Sequence, residues 1–311
     1  MSEMNLLVSS DLVGERLDVA AAVLLDISRT AAADLIDQDL LTVNSKHAAR
    51  SYKVQLNDQL EVLPKVASAA EPELIAANFT IDIPVIYADD HLVVINKPTG
   101  VAAHASVGWN GPNVLDRLAQ QGHRISTSGA PERQGIVQRL DVGTSGVMVV
   151  AKSELAYTSL KQQFRDRSVA KIYLTIVQGY PDPATGTIDA PIGRHPGADY
   201  KFAVVAGGKP SVTHYDTIEM YRAATLLRVE LETGRTHQIR VHMAAVRHPC
   251  VGDLTYGADP TLAAKLELKR QWLHAAELGF KHPITDEQQN FQAPVAADLL
   301  QAQHLLETEL N

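Results

Sequence analysis

Cysteine is almost absent from this sequence of 311 residues, and its shortage excludes several kinds of site. The single Cys250 can neither form a disulfide within the chain nor supply a cysteine-cluster zinc site. His237 and His242 are spaced so that one helix face would not carry both, and no metal site is predicted. Gly143 and Gly146 lack the spacing of a nucleotide-binding loop, so no cofactor is predicted either.

Long hydrophobic runs are also missing. A membrane-spanning helix requires about 18 consecutive apolar residues, and no such stretch occurs. The first residues, MSEMNLLVSSDLVGERLD, lack the basic start and apolar core of a secretion signal. We therefore expect a cytoplasmic protein with no membrane partner, in agreement with its low cysteine content.

Positive charge is in the minority, with 28 Lys and Arg residues against 36 Asp and Glu residues and a net charge of −8. This balance does not favour a polyanionic partner. Affinity for phosphates depends on the local surface, so a nucleic-acid-binding protein of this composition must concentrate its positive charge on one face. The length and the 45% of hydrophobic residues indicate a globular chain of about two domains.

Residues 15 to 63 have the pattern of a small α/β domain. Apolar residues recur at helical spacing in ERLDVAAAVLL and SRTAAADLIDQ, and LLTVN and KVQLNDQLEVL are typical of short strands. Residues 64 to 77 are rich in Ala, Pro, Ser and Glu and show neither periodicity, which indicates a linker. The sequence thus predicts domains at 1–63 and 78–311, joined by a linker at 64–77.

Strand-like runs dominate the second domain: HLVVINK, VMVVAK, KIYLTIVQG, SVTHYDTIE and TLLRVELE. Helical patterns interrupt them near 113–120, 154–166 and 236–246. This mixture predicts an α+β fold built on a mixed, mostly antiparallel sheet.

One acidic residue, Asp141, stands in the apolar, glycine-rich segment GIVQRLDVGTSGVMVVAK. A desolvated carboxylate needs a charged or hydrogen-bonding partner, and Arg139 is the nearest candidate in sequence. Alternatively, Asp141 caps the turn that follows it, since Asp commonly bonds backbone amides two or three residues on.

Two further residues are candidates for a site. Arg235 follows a strand and a Thr-Gly pair and is expected at the start of a helix, where an anion is favoured. That anion is either the Asp141 carboxylate or an RNA phosphate, and a structural ion pair with another acid is the alternative. Tyr173 alternates with Ile172 and Leu174 along a strand, so it either packs on the sheet or offers a flat face to a base.

Several motifs together resemble the RluA family of RNA pseudouridine synthases. The family signature is matched by Arg139, Leu140, Asp141, Thr144, Ser145, Gly146, Ala151 and Lys152, and further matches occur in family order at INKPTGVAAH, KIYLTIVQG, GRTHQIRVHM and LHA. Gln138 departs from the signature, because the family usually has His at this position.

The resemblance implies a role for each candidate. Asp141 would be the catalytic carboxylate, and Arg235 would pair with it and keep it ionised. Tyr173 would stack on the target uracil, Arg139 would fill the gap that a flipped base leaves, and Leu273 would form an apolar wall. Whether Asp141 attacks the sugar or the base, or removes a ribose proton, stays open.

The first domain resembles the S4 RNA-binding domain at Arg16, Leu17, Asp18, Ser28, Arg29, Val43, Asn44 and Asp58. It departs at Asp39 and Ser45, where that family usually has glycine. The predicted RNA-binding residues are Arg16, Arg29, Lys46, Arg50 and Lys53 in this domain, and Lys161 and Arg165 in the second. In the alternative interpretation the domain is a generic α/β module and its charges are solvated.

The predicted function is therefore site-specific isomerisation of uridine to pseudouridine in structured RNA, with large-subunit ribosomal RNA as the expected substrate. No cofactor is needed, the partner is RNA, and the chain is expected to be a monomer. The alternative is a noncatalytic RNA-binding ribosome-assembly factor that retains the synthase fold.

Overall fold

The computed structural model describes residues 4–10, 12–25, 32–33, 35–36, 41–62, 81–104, 109 and 111–308. The chain divides into two compact units, Met1–Asn78 and Phe79–Asn311. The linker expected at 64–77 lies outside the described residues, so the predicted domain limits stay a prediction. In the described part of the chain, no helix is long and apolar enough to cross a membrane.

The first unit contains a small antiparallel sheet and a helix. Its strands are β1 (Met4–Leu7), β2 (Leu41–Val43), β3 (Lys46–His47) and β4 (Gln59–Val62), in the order β1-β4-β2-β3. Helix α1 (Leu17–Leu24) buries its apolar face against the sheet, and the core includes Leu17, Ala20, Leu41, Val43 and Leu60. These elements follow from the apolar spacing along the segment.

The turn between β2 and β3 is tight although it contains no glycine. Asn44 and Ser45 both adopt left-handed backbone conformations, with φ of 51° and 61°. The Asn44 side chain donates to Asp58 and accepts from the amide of Gln59, and the Ser45 hydroxyl donates to Glu61. These bonds offset the cost of the backbone conformation, so the turn forms without the glycine that the S4 pattern usually has at Ser45.

The second unit is built on a nine-stranded sheet. Its strands are β5 (Val85–Ala88), β6 (Leu92–Lys97), β7 (Ser145–Ala151), β8 (Ala170–Gln178), β9 (Thr185–Asp189), β12 (Val212–Met220), β13 (Ala224–Leu231), β14 (Leu273–Lys281) and β15 (Gln288–Gln292). The order is β5-β6-β7-β14-β8-β13-β12-β9, and β15 pairs with β14. β7 and β14 run parallel, and the other neighbouring strands of this sheet run antiparallel. The predicted α+β fold with a mixed, mostly antiparallel sheet is confirmed.

In the described part of this unit there are also a separate two-stranded hairpin, five α-helices and two 3₁₀ helices, Pro131–Arg133 and Leu254–Tyr256. The hairpin joins β10 (Ile192–His195) to β11 (Ala198–Val204). The helices are α2 (Val114–Gln120), α3 (Glu154–Arg165), α4 (Gln238–Ala245), α5 (Pro260–Lys265) and α6 (Ala297–Thr308). The patterns near 113–120, 154–166 and 236–246 predicted α2, α3 and α4 to within two residues at each end.

Strand β7 is buried along its whole length and lies in the interior of the sheet. Strand β8, on the other side of β14, alternates as predicted: Tyr173 and Val177 pack on one side, and Leu174 and Ile176 pack on the other. Both faces of this part of the sheet are therefore covered, which agrees with the continuous apolar run in β7.

Candidate active site

The loop that carries Asp141 leads directly into β7. The Thr144 amide donates to the backbone carbonyl of Asp141 at 2.9 Å, so the turn is closed by the main chain. Gly146 has φ of 120°, and a Cβ here would lie 2.1 Å from the carbonyl oxygen of Ala275 on β14. Only glycine permits this close approach of the two strands. The sheet therefore fixes the loop at its end.

Arg270, in the segment before β14, holds the same loop by hydrogen bonds. Arg270 donates to the carbonyl of Gly143 at 3.0 Å and to the hydroxyl of Ser145 at 3.3 Å. Arg270 also forms a two-point ion pair with Asp298 on α6, with distances of 2.6 and 2.8 Å. These bonds leave little freedom for the backbone beneath Asp141.

The Asp141 side chain is 18% exposed and is held by Arg240. Arg240 Nη1 donates to Asp141 Oδ2 at 3.3 Å. The Nε and Nη2 of the same guanidinium bind Asp253 at 2.6 and 2.9 Å. Burial lowers the pKa of Arg240, but the hydrogen bonds and charge of Asp253, together with the charge of Asp141, raise the pKa above its ordinary value. Arg240 is therefore a permanent cation beside Asp141.

The expected ion pair between Arg235 and Asp141 is not formed, and Arg240 takes that place. Arg235 precedes α4, and its Nε donates to the carbonyl of Pro210 at 3.1 Å. Gln238 holds the loop here by accepting from the Arg235 amide and from the Thr233 hydroxyl. The expected pair was wrong because the resemblance was carried to the first arginine of GRTHQIRVHM, whereas the second, Arg240, binds Asp141. The available signal was the second arginine of GRTHQIRVHM, which lies inside the helix.

His237 is a further residue near Asp141. From the sequence it was considered only as a metal ligand, and no metal site was predicted. Its Nε2 lies 3.8 Å from Asp141 Oδ2, and its Nδ1 lies 2.8 Å from the Tyr256 hydroxyl. His237 is the N-cap of α4 and has a left-handed backbone with φ of 57°. Non-glycine residues in this conformation are uncommon and often occur at functional sites.

Besides Asp141, four predicted residues line the cavity, namely Arg139, Tyr173, Arg235 and Leu273. Tyr173 comes from the middle of β8, beside Val229 of β13 and Ala275 of β14. Burial and the nearby charge of Asp141 raise the pKa of Tyr173 well above its ordinary value, so its hydroxyl stays uncharged. Leu273 is buried at the start of β14. The structure thus brings these side chains to one place.

A groove of about 650 Å³ opens from Asp141 and is rich in cations. Its basic residues are Arg133, Arg139, Lys161, Arg165, Arg167, Lys171 and Arg235, and the acids that line it are Asp141 and Glu232. Lys161 and Arg165 lie on α3, so the structure places both predicted RNA-binding residues in the groove. Positive charge is concentrated here despite the net charge of −8.

Gln138 lies in the wall of the same groove. Its Nε2 is buried and has no hydrogen-bond partner among the described residues. Buried amide donors usually have a hydrogen-bond partner, so Gln138 is an exception. Gln138, which departs from the family signature, therefore also has an unused hydrogen-bond donor.

The predicted RNA-binding residues of the first unit belong to a different part of the sequence from the residues that line this groove. Arg16 forms an ion pair with Asp18 at 3.0 Å, and its backbone bridges to Lys53. Arg16 and Arg50 line a shallow depression, and Lys46 lies on β3. Arg29 lies outside the described residues. Their role in RNA binding stays a prediction.

The arrangement can bind an anionic polymer and present one carboxylate to it, beside a flat aromatic ring. Known proteins resemble this chain in both sequence and fold. The pattern of the family described as RNA pseudouridylate synthase matches residues 91–245. An uncharacterized RNA pseudouridine synthase of Mycobacterium bovis is 52% identical over 99% of this chain and 100% of its own length. The ribosomal large subunit pseudouridine synthase D of Pseudomonas aeruginosa is 40% identical over 93% of this chain and 91% of its own.

Solved structures agree with these relatives. Human RNA pseudouridylate synthase domain containing 4 is 26% identical, with a TM-score of 0.57 over 72% of this chain and 93% of its own. Its counterpart, domain containing 1, is 27% identical, with a TM-score of 0.56 over 68% of this chain and 83% of its own. The chain belongs to the RluA family of RNA pseudouridine synthases, and the predicted enzyme class is confirmed.

Proposed function

We propose that this enzyme converts specific uridines of large-subunit ribosomal RNA to pseudouridine, and that Asp141 is its catalytic carboxylate. The observation that carries the proposal is the position of Asp141, held by Arg240 in a cationic groove beside Tyr173. The substrate is supported by the P. aeruginosa relative, which is named for the ribosomal large subunit. A cytoplasmic location and a monomeric state belong to the same proposal.

The reaction is an isomerisation and needs no external energy source. The bond from N1 of uracil to C1′ of ribose breaks, and a bond from C5 to C1′ forms. The hydrogen on C5 leaves as a proton, and N1 gains one, so atoms and charge balance. Asp141 either attacks the sugar or the base, or removes a ribose proton. In each case the carboxylate acts in its ionised form, and the Arg240 guanidinium lies 3.3 Å from it.

The target base has to leave its stack before Asp141 can reach it. Flipping costs a few kcal/mol in a paired region, and stacking on an aromatic ring returns about 1–3 kcal/mol. Tyr173 and Leu273 line the cavity at Asp141, where the uracil would lie. Arg139 is exposed at its edge and is long enough to occupy the vacated position in the RNA.

The flanking RNA would follow the basic groove, where Lys161 and Arg165 would contact phosphates. The first unit would add affinity and site choice as an S4-like domain. Its contacts would come from Arg16, Arg29, Lys46, Arg50 and Lys53. Phosphate contacts of this kind position the RNA without reading its sequence.

The test is a pseudouridine map of total RNA, made by carbodiimide-dependent reverse-transcription stops. Cells that lack the protein are complemented with wild type, with Asp141→Asn, or with Asp286→Asn as a matched control on an exposed surface. We expect stops at defined uridines of large-subunit ribosomal RNA, restored by wild type and by Asp286→Asn only. An unchanged ribosomal map would reject this substrate. Stops restored equally by Asp141→Asn would reject the carboxylate.

A further inference from the structure

The contacts of the Asp141 carboxylate with its protein neighbours fall on one oxygen. Arg240 Nη1 lies 3.3 Å from Oδ2, and His237 Nε2 lies 3.8 Å from the same atom. No hydrogen bond to Oδ1 is found within the described residues. The carboxylate is therefore asymmetric, because its hydrogen bond to the protein falls on Oδ2.

A neutral imidazole carries its proton on only one nitrogen, so the tautomer of His237 decides what it offers to Asp141. Burial lowers the pKa of His237 and the charge of Arg240 lowers it further, which together outweigh the charge of Asp141. The other charged groups near the ring are Asp253 and Arg139. His237 is thus neutral at neutral pH. Its Nε2 atom therefore faces Asp141 either with an N–H group, which can donate a hydrogen bond, or with a lone pair, which cannot.

The Tyr256 hydroxyl is the hydrogen-bond partner of the other imidazole nitrogen, Nδ1. Its hydroxyl oxygen already accepts a hydrogen bond from the Phe202 amide of β11 at 3.1 Å. Its single proton can then be donated to His237 Nδ1, which lies 2.8 Å away. With Nδ1 acting as acceptor, the proton of the imidazole is on Nε2, the nitrogen that faces Asp141.

The surrounding packing holds this arrangement in place. The rings of Phe202 and Tyr256 both meet the His237 ring edge to face, with centroids 5.8 and 5.7 Å apart. The guanidinium of Arg240 lies over the Tyr256 ring, 4.9 Å from its centroid. The left-handed backbone at His237 directs the side chain from the N-terminus of α4 into this cluster.

We propose that His237 is a positioning residue for the reaction: fixed by Tyr256 as the Nε2–H tautomer, it holds Oδ2 of Asp141 together with Arg240 and leaves Oδ1 as the reacting oxygen. The distance of 3.8 Å is longer than a hydrogen bond. Catalytic hydrogen bonds are often long before substrate binds and shorten in the complex. The inference rests on the proposed function of Asp141.

The first test is independent of activity. Long-range proton–nitrogen correlation spectra of the histidine-labelled protein report the tautomer of each neutral imidazole, and His237→Gln assigns the signal. We expect Nε2–H for His237 in wild type and a mixture of tautomers in Tyr256→Phe. The Nδ1–H tautomer in wild type would overturn the proposal, whatever the RNA substrate is.

The second test is a double-mutant cycle in single-turnover assays on unmodified RNA that contains a uridine which the wild-type enzyme converts. Tyr256→Phe should lower the rate of the chemical step about tenfold without changing RNA affinity. Without the tyrosine hydroxyl, His237 can adopt the Nδ1–H tautomer, whose Nε2 has no proton to donate to Asp141. His237→Gln should lower the rate less than Tyr256→Phe does, because the glutamine Nε2 donates without help from Tyr256. Added to His237→Gln, Tyr256→Phe should then cost nothing further.

A purely structural role of Tyr256 predicts the same penalty in both backgrounds, and that result would overturn the proposal. Tyr87→Phe is the matched control, since its hydroxyl bonds Asp89 at the far edge of the sheet. Thermal unfolding of each variant distinguishes a general loss of stability from the removal of one hydrogen bond. If wild type modifies no RNA, the proposed function fails, while the spectra still decide the tautomer.

Discussion

Arg240 connects Asp141 to Asp253, and it binds the two acids through different nitrogens. Asp253 is almost wholly buried and takes Nε and Nη2, so the plane of the guanidinium is fixed before substrate arrives. Nη1 is left to point at Asp141. This geometry requires a planar fork of donors, which lysine lacks.

The first prediction concerns this fork. Arg240→Lys should lower the rate of the chemical step by at least about a hundredfold, because an ammonium cannot hold Asp253 and Asp141 at once. Arg235→Lys should stay within about threefold, because Arg235 bonds a carbonyl and its charge is kept. Single-turnover rates at saturating enzyme measure both. Equal losses in the two variants would contradict the assignment of Arg240.

The second prediction separates the ring of Tyr173 from its hydroxyl. Tyr173→Phe keeps the stacking surface, and we expect kcat/KM within about fivefold of wild type. Tyr173→Leu removes it, and the loss of about 1–3 kcal/mol of stacking should lower kcat/KM by roughly 5- to 150-fold. Steady-state assays on an RNA fragment provide the comparison. A phenylalanine variant as impaired as the leucine variant would indicate that the hydroxyl acts in the chemistry.

The third prediction concerns the basic groove. Removing one phosphate contact should reduce the slope of log affinity against log salt by about 0.7 to 0.9. Lys161→Gln and Arg165→Gln should each do so if these residues bind the RNA backbone. Lys281→Gln is the control, since Lys281 is exposed, pairs with Asp286 and does not line the groove. Filter binding between about 50 and 200 mM salt measures the slope. A slope equal to that of wild type would exclude a phosphate contact at the substituted residue.

Sequence patterns predicted the sheet because its strands either alternate, as in β8, or are continuously apolar, as in β7. Tyr173 and Leu174 were assigned to opposite faces from alternation alone, and the structure agrees. The choice between the two arginines of GRTHQIRVHM was the weak point. Periodicity predicted α4 but does not show which guanidinium reaches Asp141, and in the structure it is that of Arg240.

The contribution of His237 could not be predicted in the same way. Its position depends on a left-handed backbone and on Tyr256, a residue from a separate short helix. Arg240 likewise depends on Asp253, thirteen residues further along the chain. Contacts of this kind leave no periodic signal, because Asp253 and Tyr256 belong to a 3₁₀ helix of three residues and its N-cap, which are too short to show a periodic pattern.

The last prediction concerns Asp89, which organises the turn between β5 and β6. Its Oδ1 accepts from the amides of His91 and Leu92, and its Oδ2 accepts from the Tyr87 hydroxyl and from His282. Burial raises the pKa of Asp89, but these hydrogen bonds outweigh it and lower the pKa from 3.8 to about 2. The ionised form therefore stabilises the folded state.

A depressed pKa gives a definite pH dependence of stability. The contribution of Asp89 should be fully present above about pH 4 and should be lost as the pH falls towards about 2. Between these values the carboxylate of the unfolded chain is already protonated, whereas that of the folded protein is still ionised. Asp89→Asn should lower the free energy of unfolding by about 1–2 kcal/mol at pH 7, allowing for partial exposure. Urea titrations from pH 7 to pH 2 should show the two proteins converge below pH 4, and Asp90→Asn, on the exposed neighbour, is the control. A difference between Asp89→Asn and wild type that does not depend on pH would mean that the turn is stabilised by shape alone.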